Sequence, residues 1–453
     1  MSLSEPPDVE RTPLPTVLLS LSIVAEVFSG NWKYIHVPLG GDRILFGLGV
    51  VCLVLGGTAA VAKRKLRPRP IHGLLLVTAV YALGSAIAAH TITHSTGQFA
   101  LLDRLGFIPF LMFCLAPLVF GQAKQRNYLL AALVVIGGYL GITALLEGVG
   151  LANLTLPTYI RNPNLGIHFG RARGPFLESA ADGLSMYMCA VAAAVGLKVW
   201  SSRGARWACG AVILLCGLGI VFTLTRAVWI AAVVGTLVAL LISPRTRSLI
   251  APAVILGALA LLAVLFLVPG LSTKVQGRTQ DQQPVWDRYN TNAAAIRMVE
   301  AKPVFGFGWQ TFVTKGLPYI RQSSSYPLTG VGIEVHNVFL SHAAELGLTG
   351  SALWTLALLS AVGGAILRRG PPELAPWRVG LVAIFVAFLV VANLGPLSYP
   401  FPNVLLWTWA GLAGANHFLV PRGAEEEPEG DARDEADVTS VEPRRQAIAW
   451  SLS

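Results

Sequence analysis

The sequence predicts an all-α, polytopic integral membrane protein with about twelve transmembrane helices and a long, partly helical extracytoplasmic loop. Three observations lead there. First, 54% of the 453 residues are hydrophobic and only 13% are charged, with a mean hydropathy of +0.62, where a soluble domain carries about 25% charged residues. Second, apolar runs close to the roughly 20 residues that cross a bilayer follow one another through most of the chain. Third, the short connectors alternate between rich and poor in Lys and Arg, which fixes an orientation. The formal charge of +10 follows from that alternation and is no sign of a nucleic-acid partner.

The expected spans lie near 14–30, 43–62, 71–92, 105–121, 127–147, 177–198, 207–224, 227–242, 248–268, 340–367, 379–396 and 401–420. The fourth contains Pro109 and Pro117, which spans tolerate as kinks. The seventh and eighth meet at Thr225–Arg226 with almost no loop. Connectors 63–69, 122–126, 198–206, 243–247 and 368–378 are basic, whereas 31–42 and 397–400 are not. The basic set faces the cytoplasm, and with it both termini. Residues 1–423 form one transmembrane unit that includes the 270–335 loop. Residues 424–453 form an acidic cytoplasmic tail too poor in apolar residues to fold. The first apolar run follows an acidic, Pro-rich start and is succeeded by many more, so no cleavable signal peptide is expected. Cys52, Cys114, Cys189, Cys209 and Cys216 lie in apolar runs without CxxC spacing and are expected as small core hydrophobes.

This orientation leaves 148–176, the Thr225–Arg226 hairpin and 270–335 outside. The last is too long for a plain link, and loops of that length are functional or disordered; its Pro303–Gly306–Gly308 turn and the helical run after Trp286 argue for order. Arg161, Arg171, Arg173, Arg226, Arg278, Arg288, Arg297 and Arg321 then stand on the face where the charge rule predicts few. Such a face suits an anionic, membrane-anchored substrate, because the planar guanidinium holds phosphate oxygens through a fork of donors. Within the spans, Glu26, Glu178 and Asp182 sit near outer ends. An ion-coupled carrier would place ionisable groups at the midplane.

Individual motifs carry two readings each. His336–Asn337 opens an apolar helix: His336 is either a surface base able to take a proton from a sugar hydroxyl, or a helix-start residue beside the Asn337 cap. Glu345 lies nine residues on, about 180° around a helix, so Glu334 is the nearer carboxylate for His336. Arg226, at the tip of its hairpin, is a substrate ligand or a snorkelling cation. Arg288 and Arg297 share one expected helix at nine residues' separation, so one at most points into a given site. Arg171 and Arg173, ahead of the Gly174–Pro175 turn, are ligands or a solvated loop face. There is no Walker A loop, HExxH or Gly-x-Ser-x-Gly, and no DxD-like pair for a divalent ion. No metal and no cofactor is expected.

Three patches, RARGPFLESAADG, FTLTRAVWIAAVVG, and DRYNTNAAAIRMVEAKPVFGFGWQTF with EVHNVFLSHAAELGLTG, resemble the bacterial O-antigen ligase and O-antigen polymerase family. The resemblance implies an inverting glycosyltransferase at the outer face of the bacterial inner membrane. It would move a glycan from an undecaprenyl-diphosphate-linked oligosaccharide donor to a lipid or glycan acceptor without a metal. It also implies roles: His336 as catalytic base, Arg226, Arg288 and, more loosely, Arg173 on the donor diphosphate. Glu334 and Arg297 are accessory candidates. The alternative expectations are a lipid-linked glycan flippase or exporter, and a non-catalytic membrane scaffold.

Overall fold

The computed structural model describes residues 14–37, 40–55, 64–243, 246–321 and 332–421; the expected acidic tail lies outside them. A chain in hydrocarbon must satisfy its backbone polar groups internally, so each apolar run closes into a helix. In order these are α1 (Leu14–Ala25), α2 (Gly41–Leu55), α3 (Pro70–Ala88), α4 (Phe107–Val119), α5 (Ala123–Gly148), α6 (Ser179–Val199), α7 (Arg203–Phe222), α8 (Arg226–Ile242) and α9 (Ile250–Leu267). The loop contributes α10 (Leu271–Gln280) and α11 (Gln283–Ala301), and α12 (Val338–Leu367), α13 (Ala375–Leu394) and α14 (Pro400–Ala413) complete the bundle. Among the described residues, eight helices are long and apolar enough to cross a membrane, and the apolar helices Leu14–Phe28 and Arg226–Ile242 are shorter.

Eight such spans among the described residues leave the expected count of about twelve unmatched, and two local details also depart from the sequence expectation. The fourth span starts earlier, at Ser95, and reaches α4 through a π-helical turn at Ala100–Leu105 that ends on Gly106 at φ 135°. The chain is also not wholly helical. Residues β1 (Arg64–Leu66) and β2 (Leu419–Pro421) pair antiparallel, Leu66 against Leu419. Pro68 and Pro70 bias the residues before them to extended backbone, and α3 starts at Pro70, as the first apolar run after them predicts.

The core sits where α7 packs on α5 and α6, α8 on α13, and α4 on α14. Trp377, Trp407 and Trp409 are nearly fully buried in it. Close approach of α5, α6 and α7 depends on glycine: a Cβ on Gly137 would press into Cys189, and one on Gly219 into Met186. Cys189, Cys209 and Cys216 are buried and free.

The connectors gather at two ends. At one, Asn31 Nδ2 donates to the Pro175 carbonyl at 2.9 Å and Arg288 Nε to that of Leu394 at 2.9 Å. At the other lie the β1–β2 pair, the Arg126–Glu373 ion pair at 3.1 Å and the Trp200–Asn127 hydrogen bond at 3.1 Å. These are the two sets that the Lys and Arg pattern separates.

The 270–335 loop has its own small core, in which Ala294, Ala295 and Met298 of α11 meet Phe312, Val335 and Ala344. Its anchor is a break in α12 at Gly347 (φ 71°, ψ 177°). The break frees main-chain groups that the Pro303–Gly308 turn satisfies. Phe307 and Gly308 N–H donate to the Ala344 and Glu345 carbonyls at 3.0 and 2.8 Å, and Leu348 N–H donates to the Pro303 carbonyl at 2.7 Å. Glycine is required here twice over. The dihedral angles are open to little else, and a Cβ on Gly347 would collide with the Val304 carbonyl. Gly347→Ala should therefore cost at least about 1–3 kcal/mol in backbone strain alone. A thermal scan of the detergent-purified variant should show a lowered midpoint; a wild-type midpoint would mean the turn does not hold the loop.

Candidate active site

Three stretches meet at the Asn31–Pro175 end: the α7–α8 hairpin, the segment from Arg278 to Arg288, and the residues before α12. Arg226 is the first residue of α8, where a helix N-terminus and a cation repel, so something must hold it there. Its Nη2 donates to the Asp281 carbonyl at 2.9 Å and its Nη1 to that of Thr279 at 3.4 Å. The Asp281 carboxylate in turn pairs with Arg278. One residue between α10 and α11 thus fastens two arginines side by side.

Arg288, one side of α11, completes the group. Burial first, and then the charges of Arg226 and Arg278, push its guanidinium below the usual arginine range, against the pull of Asp287. Arg171 joins from the loop ahead of α6: burial and the Arg278 charge bring it down to about 10, opposed by Asp281 and Glu178. Like charges held close enough to depress one another are costly unless an anion joins them. Four arginines gathered in this way have the chemistry to hold a multiply charged oxyanion.

His336 lies beside this group. Asn337, the next residue, caps α12 by accepting from Leu340 N–H at 3.1 Å. The cap thus falls to Asn337 and leaves the histidine free for other work. Burial and then the Arg288 charge hold its imidazole below the ordinary histidine range, with Asp287 and Glu334 pulling the other way. Its Nδ1 is buried without a partner among the described residues. A neutral imidazole with an unoccupied ring nitrogen, next to cations, is equipped to accept a proton.

A second histidine faces the same end. His168 Nδ1 is 3.4 Å from Glu178 and 3.1 Å from the Ser179 hydroxyl, which also accepts from Thr225 at 3.0 Å. Burial pushes the Glu178 carboxyl up, but hydrogen bonds from His168 and the Ala181 amide outweigh it, so it stays below the usual carboxylate range.

The other candidates lie elsewhere. Arg173 is 1% exposed, and its guanidinium donates to three loop carbonyls: Ile160 at 3.0 Å, Asn162 at 2.6 Å, and Leu165. It folds the 148–176 loop, and three of its five N–H donors are spent on that loop's carbonyls. Arg297 donates to the Tyr319 carbonyl at 2.7 Å, on the side of α11 away from Arg288. Glu334 is taken by Arg104 at 3.4 Å and the Ser398 hydroxyl at 2.7 Å. Glu345 accepts from the Phe312 amide at 3.0 Å and belongs to the loop anchor.

Sequence reasoning gave no role to Arg104 or His168 and no individual role to Arg278, and left Arg171 between ligand and loop face. Arg171 and Arg278 stood among the outward arginines, and Arg171 lay inside a quoted motif two residues from the one chosen. Arg104 is 6% exposed and bridges Gln310, Glu334 and Ser341. The Asp103–Arg104 pair interrupting an apolar run was its one signal.

Residues 211–355 match the family described as O-antigen ligase. The match supports an O-antigen ligase assignment for this segment. The O-antigen ligase segment spans about a third of the chain and contains Arg226, Arg278, Arg288, Glu334 and His336. Arg104, Arg171, His168 and Glu178 lie ahead of it. No curated protein matches the chain.

Proposed function

We propose that this membrane protein is an inverting, metal-independent glycosyltransferase that moves a glycan from an undecaprenyl-diphosphate-linked donor to a lipid or glycan acceptor. The observation that carries the reading is the arginine group of Arg226, Arg278 and Arg288 set against a depressed His336. His336 takes the proton of the acceptor hydroxyl. The acceptor oxygen bonds the anomeric carbon from the face opposite the diphosphate, and the bond from that carbon to the diphosphate oxygen breaks. The diphosphate keeps the electron pair, and the arginines stabilise the charge it gains. In this reading the site lies at the outer face of the bacterial inner membrane with both termini inside, which the distribution of Lys and Arg supports.

An exporter or flippase would need polar groups along a path through the membrane. The groups described above gather instead at one end, which supports an enzyme. The test is transfer by right-side-out membrane vesicles, with lipid-linked oligosaccharide in the outer leaflet, an impermeant acceptor outside, and EDTA present. Glycosylated acceptor is expected. Activity that EDTA abolishes and a divalent ion restores would overturn metal independence, and translocation of the donor without transfer would favour the flippase.

A further inference from the structure

The break at Gly347 gives α12 a level in the bilayer. Residues 348–367, the 20 beyond the break, rise roughly 30 Å, about the hydrocarbon thickness of a membrane. Arg368 and Arg369 follow at once and mark the basic boundary. The break therefore lies at the opposite boundary, on the side of the candidate site, and Ser341 and Glu345 ahead of it stand outside the hydrocarbon. The Pro303–Gly308 turn is bound at that level. Besides the Leu348 amide, Thr349 N–H donates to the turn, reaching the Val304 carbonyl at 3.4 Å. The end of α3 closes the other side: Trp309 N–H donates to the Ser85 hydroxyl at 3.1 Å, and a Cβ on Gly308 would press into Ala89.

The turn spends its main chain on α12, and its two large apolar side chains are left outside: Val304 is 53% and Phe305 70% exposed. Leu348, the first residue of the span beyond the break, and Ile87, in the last turn of α3, are exposed as well. On spans of this hydropathy such residues face lipid, so the apolar tip continues the lipid-facing surface of both helices. Two cations stand beside it. Lys302 Nζ is 4.8 Å from the centroid of the Phe307 ring, and Lys315 Nζ donates to the Phe307 carbonyl at 3.1 Å. We propose that Val304 and Phe305 insert into the bilayer leaflet on the side of the candidate site, with Lys302 and Lys315 reaching its phosphates. An aromatic and a β-branched side chain at this depth gain by leaving water, and neighbouring lysines keep their charge at the headgroups. The 270–335 loop is then seated in lipid and is not a free extracytoplasmic cover. It has two attachments, the main-chain joint to α12 and the bilayer itself, and together they set the height of α11 and His336 above the acyl chains.

The test uses the full chain reconstituted in phosphatidylcholine–phosphatidylglycerol vesicles, as two single variants, Phe305→Trp and Leu348→Trp. Each adds an indole at an exposed position, and its emission is read as the difference from the wild type. A nitroxide on the upper acyl chain of the phosphatidylcholine should quench the added emission of both variants several-fold more strongly than iodide present on both sides of the membrane. Quenching of Phe305→Trp by iodide and not by the nitroxide overturns the proposal. So does protection of its added indole from both quenchers, because protein would then cover the turn. A Leu348→Trp indole reached by iodide and not by the nitroxide would put the break outside the bilayer, which overturns it as well. Turnover does not enter the measurement, so its outcome is independent of the transferase reading.

Discussion

His336→Ala is expected to cut turnover by about 10²–10⁴-fold, the usual worth of a positioned general base, while leaving donor binding nearly intact. The comparison is turnover and donor affinity on the same purified variant, normalised to folded protein. Because Asn337 alone makes the helix cap, loss of the imidazole should not lower the yield of folded protein, which separates a base from a structural residue. The pH profile adds a second readout. The base works as the neutral imidazole, populated above its pKa. A free histidine would place the acid limb near about 6.5. Burial and Arg288 push His336 lower, so the rate should be flat through neutral pH and fall only below that value. Arg288→Gln removes one of the two causes, and its residual activity should show the acid limb moved upward. Wild-type turnover in His336→Ala would leave the site without its base, and Glu334 would have to leave Arg104 and Ser398 to serve.

Arg226→Ala should weaken donor binding by about 10- to 10²-fold, the range set by losing one or two hydrogen bonds to a charged group. Arg226→Lys should recover only part of it. An ammonium can supply the charge, but it cannot span the Thr279 and Asp281 carbonyls while also presenting a planar fork. Arg173→Ala serves as the contrast. Its guanidinium is spent on loop carbonyls, so it should lower the thermal midpoint and not selectively weaken diphosphate. Titration of inorganic diphosphate into the three variants checks both. Equal affinity in Arg226→Ala and the wild type would remove Arg226 from the diphosphate site.

The fold was largely legible because a membrane imposes one demand, internal satisfaction of the backbone, and apolar runs answer it in only one way. The start of the fourth span was misplaced because the π-turn at Ala100–Leu105 carries Asp103 and Arg104, which hydropathy scores as loop. In fact Arg43 neutralises Asp103, and Arg104 is bound by Ser341, Gln310 and Glu334. Both pairings join residues far apart in sequence, and no local pattern contains them. The site was legible in residue type and only partly in position. Arg226, Arg288 and His336 do share one end of the molecule, and the separation of Arg288 from Arg297 followed from helical geometry. Sequence spacing could not separate Arg171 from Arg173, because alternate residues in an irregular loop have no fixed period to say which one points inward.

The junction between the Pro303–Gly308 turn and the break at Gly347 is written almost entirely in main-chain atoms. Side-chain identity matters little to such a joint, apart from the glycines that let the two backbones touch. The surface of the loop is accordingly free to vary while the histidine it delivers stays in register. Exchanging the exposed residues of α11 should therefore leave that joint in place.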